Sequence, residues 1–107
     1  MQVRQLPDLL EPQIATGKPY LEFLRSAHLS VGLYVLPAGG LDLQQPHGEE
    51  EVYFVIRGRA RFTAGQQVVP VQAGAVVFVE PHEPHRFQDI AEDLHLLVFF
   101  APAEGTR

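Results

Sequence analysis

Residues 45–58 read QPHGEEEVYFVIRG. One histidine, His47, stands before three acids, Glu49, Glu50 and Glu51, and an apolar run follows, closed by Gly58. Imidazole beside carboxylate is the material of metal centres and of acid–base pairs. The chain has five histidines and no cysteine, so a thiolate zinc site and a disulfide framework are both excluded. Any metal must be held by imidazole, carboxylate or amide oxygen. If Val52 to Ile56 is a strand, Glu51, Tyr53 and Val55 point one way, and Glu50, Val52, Phe54 and Ile56 the other. Both faces are apolar, so alternation leaves Glu50 and Glu51 equal as the inward acid.

Strands and turns are the elements that must position these groups. Pro7, Pro12, Gly17 and Pro19 punctuate any helix in residues 1–19, and only Leu6 to Leu10 has room for one short turn. Tyr20 to Leu36 holds one long alternation. Leu29, Val31, Leu33 and Val35 fall on one face; His28, Ser30, Gly32 and Tyr34 fall on the other. Pro37-Ala38-Gly39-Gly40 breaks it. Val52 to Ile56 is a strand that Arg57-Gly58 turns into Arg59 to Thr63 as a hairpin. Ala64-Gly65 turns again, into Val68 to Val71. Ala75 to Val79 is another strand. Pro81 to Pro84 turn, His85 to Phe87 restart a strand, and Leu94 to Phe100 form the last strong one. Short strands with regular Gly and Pro breaks predict an all-β sandwich or barrel.

Composition narrows the function. The 107 residues suit one domain with one core, residues 1–107 including an N-terminal arm, 1–19. Eight basic against thirteen acidic residues give a net charge of −5, which argues against non-specific nucleic-acid binding. Arg57, Arg59 and Arg61 alternate along one strand and read as a solvated face. No apolar run approaches the roughly 20 residues that span a membrane, and Met1 to Leu10 lacks the apolar core of a secretory signal. A soluble, cytoplasmic protein is the expectation.

Spacing adds a resemblance. Gly39, Gln45, His47, Glu51 and Gly58 resemble the first cupin motif: a glycine, a His-x-His pair, a glutamate and a closing glycine. Gly74, Glu80, His82, His85 and Asp89 resemble the second, where the family has Pro, Gly, His and Asn at the last four positions. Fifteen residues separate Gly58 from Gly74. The motifs, 39–58 and 74–89, lie within a stretch of about half the chain. The resemblance implies an all-β cupin double-stranded β-helix, a jelly-roll-like barrel. It also selects Glu51 over Glu50. Carried over by position, its metal ligands are Gln45, His47, Glu51 and His85, with Gln45 in place of the first motif histidine. Gln44 is the rival if the loop shifts by one residue. His47, Glu51 and His85 make the 2-His-1-carboxylate set suited to Fe(II), which also accepts Mn, Co, Ni or Zn. One divalent transition metal per chain is expected. A neutral Gln45 amide is a weaker fourth ligand, or a hydrogen-bond partner of metal-bound water.

The remaining candidates read more plainly. His82 stands where the family has a turn glycine and is expected to take a positive φ there. His28 and His95 are single histidines in strands. Glu49 and Glu50 read as a solvated rim. Tyr34 and Tyr53 fill the barrel, with Tyr53 on the Glu51 face. Cupins include dioxygenases, isomerases, lyases, sugar-binding domains and storage proteins, so the fold does not settle the activity. The leading reading is a small metal-dependent enzyme, of dioxygenase or isomerase type, on a small oxygenated organic molecule. The competing readings are a non-catalytic metal- or ligand-binding module and a structural dimer with a vestigial site, which Gln45 favours. A homodimer is expected, because both faces of the Val52–Ile56 and Leu94–Phe100 strands are apolar.

Overall fold

The computed structural model describes residues 1–106. After the helix α1 (Leu6–Thr16) come six strands: β1 (Tyr20–Arg25), β2 (Ser30–Leu36), β3 (Glu50–Ala64), β4 (Gln67–Gln72), β5 (Val76–Val79) and β6 (His85–Ala101). They form one antiparallel sheet in the order β1-β2-β6-β3-β4, with β5 also paired to β3. The two long strands, β3 and β6, pair along almost their whole length. The first half of β3 also carries β5, and its second half carries β4.

Two expected breaks are bends inside these strands. Arg57-Gly58 is not a hairpin turn; β3 runs through it, and the β3–β6 register shifts between Val55 and Arg61. The buried residues on β3 change parity there, from Glu51, Tyr53 and Val55 to Gly58, Ala60 and Phe62. Such a switch is the mark of extra residues inserted by bulges. His85–Phe87 and Leu94–Phe100 are likewise one strand. Its buried positions change parity across Asp89, whose φ is 49°. The bends roll the sheet, so that Tyr53, Phe62, Phe87, Leu96 and Val98 meet in one core.

Gly58 is fixed by space as well as by dihedral. Its φ is 102°, and a Cβ there would overlap the Asp93 carbonyl and lie 3.0 Å from Leu94 Cα. Gly58→Ala is therefore expected to lose about 3 kcal/mol, from backbone strain and overpacking together. Urea unfolding checks this; a loss under about 1 kcal/mol would show that the crossing relaxes.

The N-terminal arm differs from expectation. Helix α1 continues to Thr16 through Pro12, and Gly17 caps it with a left-handed φ of 70°. Tertiary bonds outweigh the proline penalty. Gln13 is buried, and its Nε2 donates to the carbonyls of Pro19 and Leu33, each at 2.8 Å. Residues 26–29 then turn β1 into β2, with the Ser26 N–H donating to Leu29 O at 2.8 Å. The expected single alternation from Tyr20 to Leu36 is thus a hairpin. His28 sits exposed in its turn rather than in a strand. Arg59 and Arg61 form the solvated face expected of them and lie near Glu92 and Asp89. Among the described residues, no helix is long and apolar enough to cross a membrane.

Candidate metal centre

Three elements deliver the side chains. His47 lies in the irregular segment between β2 and β3, Glu51 on β3, and His85 at the first residue of β6. Glu51 and Tyr53 point inward and are almost fully buried, while Glu50 is exposed. The turn before β6 is tied to the His47 loop: His82 takes the positive φ expected of it, 65°, and its N–H donates to His47 O at 2.6 Å.

His47 Nε2 lies 2.8 Å from Glu51 Oε1, and His85 Nε2 lies 3.0 Å from the same oxygen. The opposite ring nitrogens face backbone carbonyls: His47 Nδ1 is 3.1 Å from Glu49 O, and His85 Nδ1 is 2.8 Å from Glu83 O. A carbonyl only accepts, so each Nδ1 carries a proton. In the neutral rings, both Nε2 lone pairs then face a carboxylate oxygen. Three acceptors turned on one another repel unless a proton or a cation lies among them. These atoms all fall within 4.8 Å of one another, so one ion can reach all three. Glu51 Oε2 is also buried, with no hydrogen-bond partner.

The separations of 2.8 and 3.0 Å from Glu51 are hydrogen-bond lengths, and they are also short enough for a ring nitrogen and the carboxylate oxygen to bind one ion at about 2.1 Å.

The surroundings are acidic. Glu49, expected on a solvated rim, is 1% exposed, with its Oε1 3.7 Å from His47 Nδ1. It precedes β3, so strand alternation does not govern it. Asp42 is buried too. It accepts from the Tyr34 hydroxyl at 2.7 Å, from Gln44 Nε2 at 2.8 Å and from the Phe87 N–H at 2.9 Å. Gln44 Oε1 in turn accepts from the Tyr53 hydroxyl at 2.7 Å. This chain of bonds pins the 41–48 segment to the core. Burial first, then the Glu51 charge, hold the Tyr53 phenol well above its ordinary range. Burial alone would lower the His85 pKa. The bonds to Glu51 and the Glu83 carbonyl, with the Glu51 and Asp42 charges, outweigh it, and the net shift is upward.

Gln45 is not brought into this group. The segment is not a strand, Pro46 interrupts it, and the Gln45 side chain is exposed. Gln44 is the inward amide, one residue earlier. His95 is buried away from the cluster, opposite Val35 and Arg57, and burial lowers its pKa. Sequence reasoning missed Asp42. Its signal was an acid between two leucines, Leu41 and Leu43, both of which are exposed.

Comparison with known proteins agrees with this geometry. A family model described as Cupin domain matches residues 32–100. An uncharacterized protein of Streptomyces coelicolor is 45% identical over 105 residues, covering 98% of this chain and all of that one. A Thermus thermophilus crystal structure superposes with a TM-score of 0.76 at 21% identity, covering 96% of this chain and 99% of its own. A cupin with a double-stranded β-helix fold from Methanocaldococcus jannaschii gives 0.71 at 21% identity, with 78% of each chain covered. The motif spacing, the rolled antiparallel sheet and the family match over most of the length agree: the chain belongs to the cupin family.

Proposed function

We propose that His47, Glu51 and His85 hold one divalent transition metal, and that the chain is a metal-dependent enzyme acting on a small oxygenated organic molecule. The observation that carries this reading is the convergence of two imidazole lone pairs and a buried carboxylate on one point. No Lys or Arg is paired with Glu51 among the described residues, so a proton on an imidazole or a bound cation lies among the three. The set is the 2-His-1-carboxylate one, suited to Fe(II) with open positions and also to Mn, Co, Ni or Zn. Such an ion, when bound, supplies Lewis acidity and, as iron, affinity for dioxygen. The protein residues do the positioning. Backbone carbonyls fix both imidazole tautomers, and the Tyr53–Gln44–Asp42 chain holds the segment that carries His47. A reaction of dioxygenase or isomerase type follows from that chemistry. The exposed Gln45 amide is a neighbour of the centre rather than a member of it. The working form we propose is a homodimer.

Metal analysis of the purified protein, followed by assay after loading with Fe(II), Mn(II) or Zn(II), tests the reading. About one metal per chain is expected. Oxygen uptake, or proton exchange in D2O, is expected with some members of a panel of phenols and 1,3-diketones. Full metal occupancy without turnover across the panel would leave a binding module in place of an enzyme.

A further inference from the structure

Gln44 stands between the metal centre and a buried acid. It lines two cavities, one shared with Glu51 and one with His47. Its amide makes a bond at each end: Nε2 donates to Asp42 Oδ2 at 2.8 Å, and Oε1 accepts from the Tyr53 hydroxyl at 2.7 Å. Neither partner is among the three facing groups, yet Tyr53 is two residues from Glu51 on the same face of β3.

The direction of the amide is set from the Asp42 side. Asp42 is buried, and its Oδ2 also accepts from the Phe87 N–H at 2.9 Å, while Oδ1 accepts from the Tyr34 hydroxyl at 2.7 Å. Donors from β2 and β6 thus hold the carboxylate in place. A carboxylate accepts, so the Gln44 atom that faces it is the nitrogen. An amide turned over would set oxygen against oxygen at Asp42 and its N–H groups against the Tyr53 hydroxyl.

Tyr53 has one hydroxyl proton, and two acceptors compete for it. Burial first, then the Glu51 charge, keep that proton on the phenol, and the Glu51 carboxylate is near enough to act on the same hydroxyl. A charged carboxylate is ordinarily the stronger acceptor. The proton nevertheless goes to Gln44, while Glu51 Oε2 is buried with no hydrogen-bond partner and Oε1 faces the two imidazoles. A proton donated to either Glu51 oxygen would compete with an ion for the same lone pairs. The Gln44 oxygen removes that competitor.

We propose that Gln44 is a positioning residue of the metal centre: held at its nitrogen by Asp42, it takes the Tyr53 proton on its oxygen and so keeps the Glu51 carboxylate for the ion. The inference rests on the metal-centre reading for its consequence, and on the hydrogen bonds alone for the direction of the amide. NMR of metal-free protein tests that direction. The Gln44 side-chain N–H and the Phe87 N–H both end on Asp42 Oδ2, so an NOE between their protons is expected. Its absence would overturn the proposal. Zn(II) affinity, read in competition with a coloured chelator, tests the consequence. Gln44→Leu removes the amide acceptor and leaves Glu51 to take the Tyr53 proton, so binding is expected to weaken about tenfold. In a Tyr53→Phe background, with no such proton to misdirect, the same change should cost less than about twofold. A purely structural role would move the two backgrounds alike. Gln44→Met, of like length and without a strong acceptor, takes the place of Gln44→Leu if that variant does not fold. Undiminished affinity in the Gln44 variant would overturn the proposal. So would a loss of equal size with and without the Tyr53 hydroxyl, which would make Gln44 a metal ligand or a strut. Failure of the parent to bind Zn(II), with the NOE present, would defeat the metal centre and leave the direction of the amide standing.

Discussion

Glu51→Gln is expected to weaken metal binding by about 100-fold or more, and to flatten or reverse the pH dependence of the metal-free protein's stability. The first effect follows from the site. Removing even an outer partner of a ligand costs about 10- to 100-fold in metal affinity. Glu51 supplies the one negative charge of the three facing groups, and its Oε1 is common to both imidazole contacts. The second effect follows from His85, whose pKa in the fold is raised above its ordinary value. A group raised on folding binds its proton more tightly in the native state. It therefore adds stability that is fully present below the unfolded imidazole value, about 6.5. That stability is lost as pH rises through the higher folded value. Metal-free protein should thus become less stable on going from mildly acid to mildly alkaline solution. In Glu51→Gln the Glu51 bond and charge are gone, and burial, the largest single influence on His85, is opposed only by the Glu83 carbonyl and the Asp42 charge. The slope should then flatten or change sign. With metal bound the parent should behave in the opposite sense, because the ion requires deprotonated imidazoles and competes better as protons leave. Urea midpoints across this pH range, with and without chelator, measure all three. Equal metal affinity in Glu51→Gln would remove the carboxylate from the site. A parent protein that gains stability with pH when metal-free would show that His85 is neutral in the fold.

How much of this was legible in the sequence varies by element. Motif spacing located His47, Glu51 and His85, because the distance along a strand between ligand and turn is fixed by the barrel. Alternation could not choose Glu51 over Glu50, since both faces of β3 are apolar; only the resemblance could. Gln45 and its rival Gln44 could not be told apart. Residues 41–48 have no strand period, so nothing local distinguishes Gln44 from Gln45 until Tyr53 and Asp42 are seen bonding to the former. Glu49 read as rim for the same reason. The bulges in β3 and β6 left a trace that local turn rules misread: Arg57-Gly58 has turn composition, but the buried positions on either side differ by one in parity. Helix α1 was hidden by its two prolines. What holds it is the bond from Gln13 to Leu33, twenty residues away, which no window of the sequence contains.

Phe54→Lys with Phe78→Lys is expected to convert a dimer into a monomer. The strand register puts two apolar rows on the outside of the sheet. Phe78, Val52, Phe99 and Val31 stand opposite one another across β5, β3, β6 and β2. Val76, Phe54, Leu97 and Leu33 make the next row. The β2 end is already covered: Val31 is 7% exposed and Leu33 is fully buried. The β5 end is not, with Val76 at 68%, Phe78 at 55% and Phe54 at 36%. Helix α1 packs on β1 and β2, so the N-terminal arm does not supply that cover. A second copy does so most simply, because a two-fold axis sets the same patch against itself. Burying a phenylalanine contributes about 1.5 kcal/mol or more, and each substitution enters a two-fold interface twice. The double variant should then lose about 6 kcal/mol of association, near four powers of ten in Kd. Its fold should persist, since both side chains point away from the core. Sedimentation at micromolar concentration should give twice the 11.9 kDa chain mass for the parent and 11.9 kDa for the variant. A parent that sediments as one chain would refute the dimer. A variant that stays dimeric would move the interface to another face.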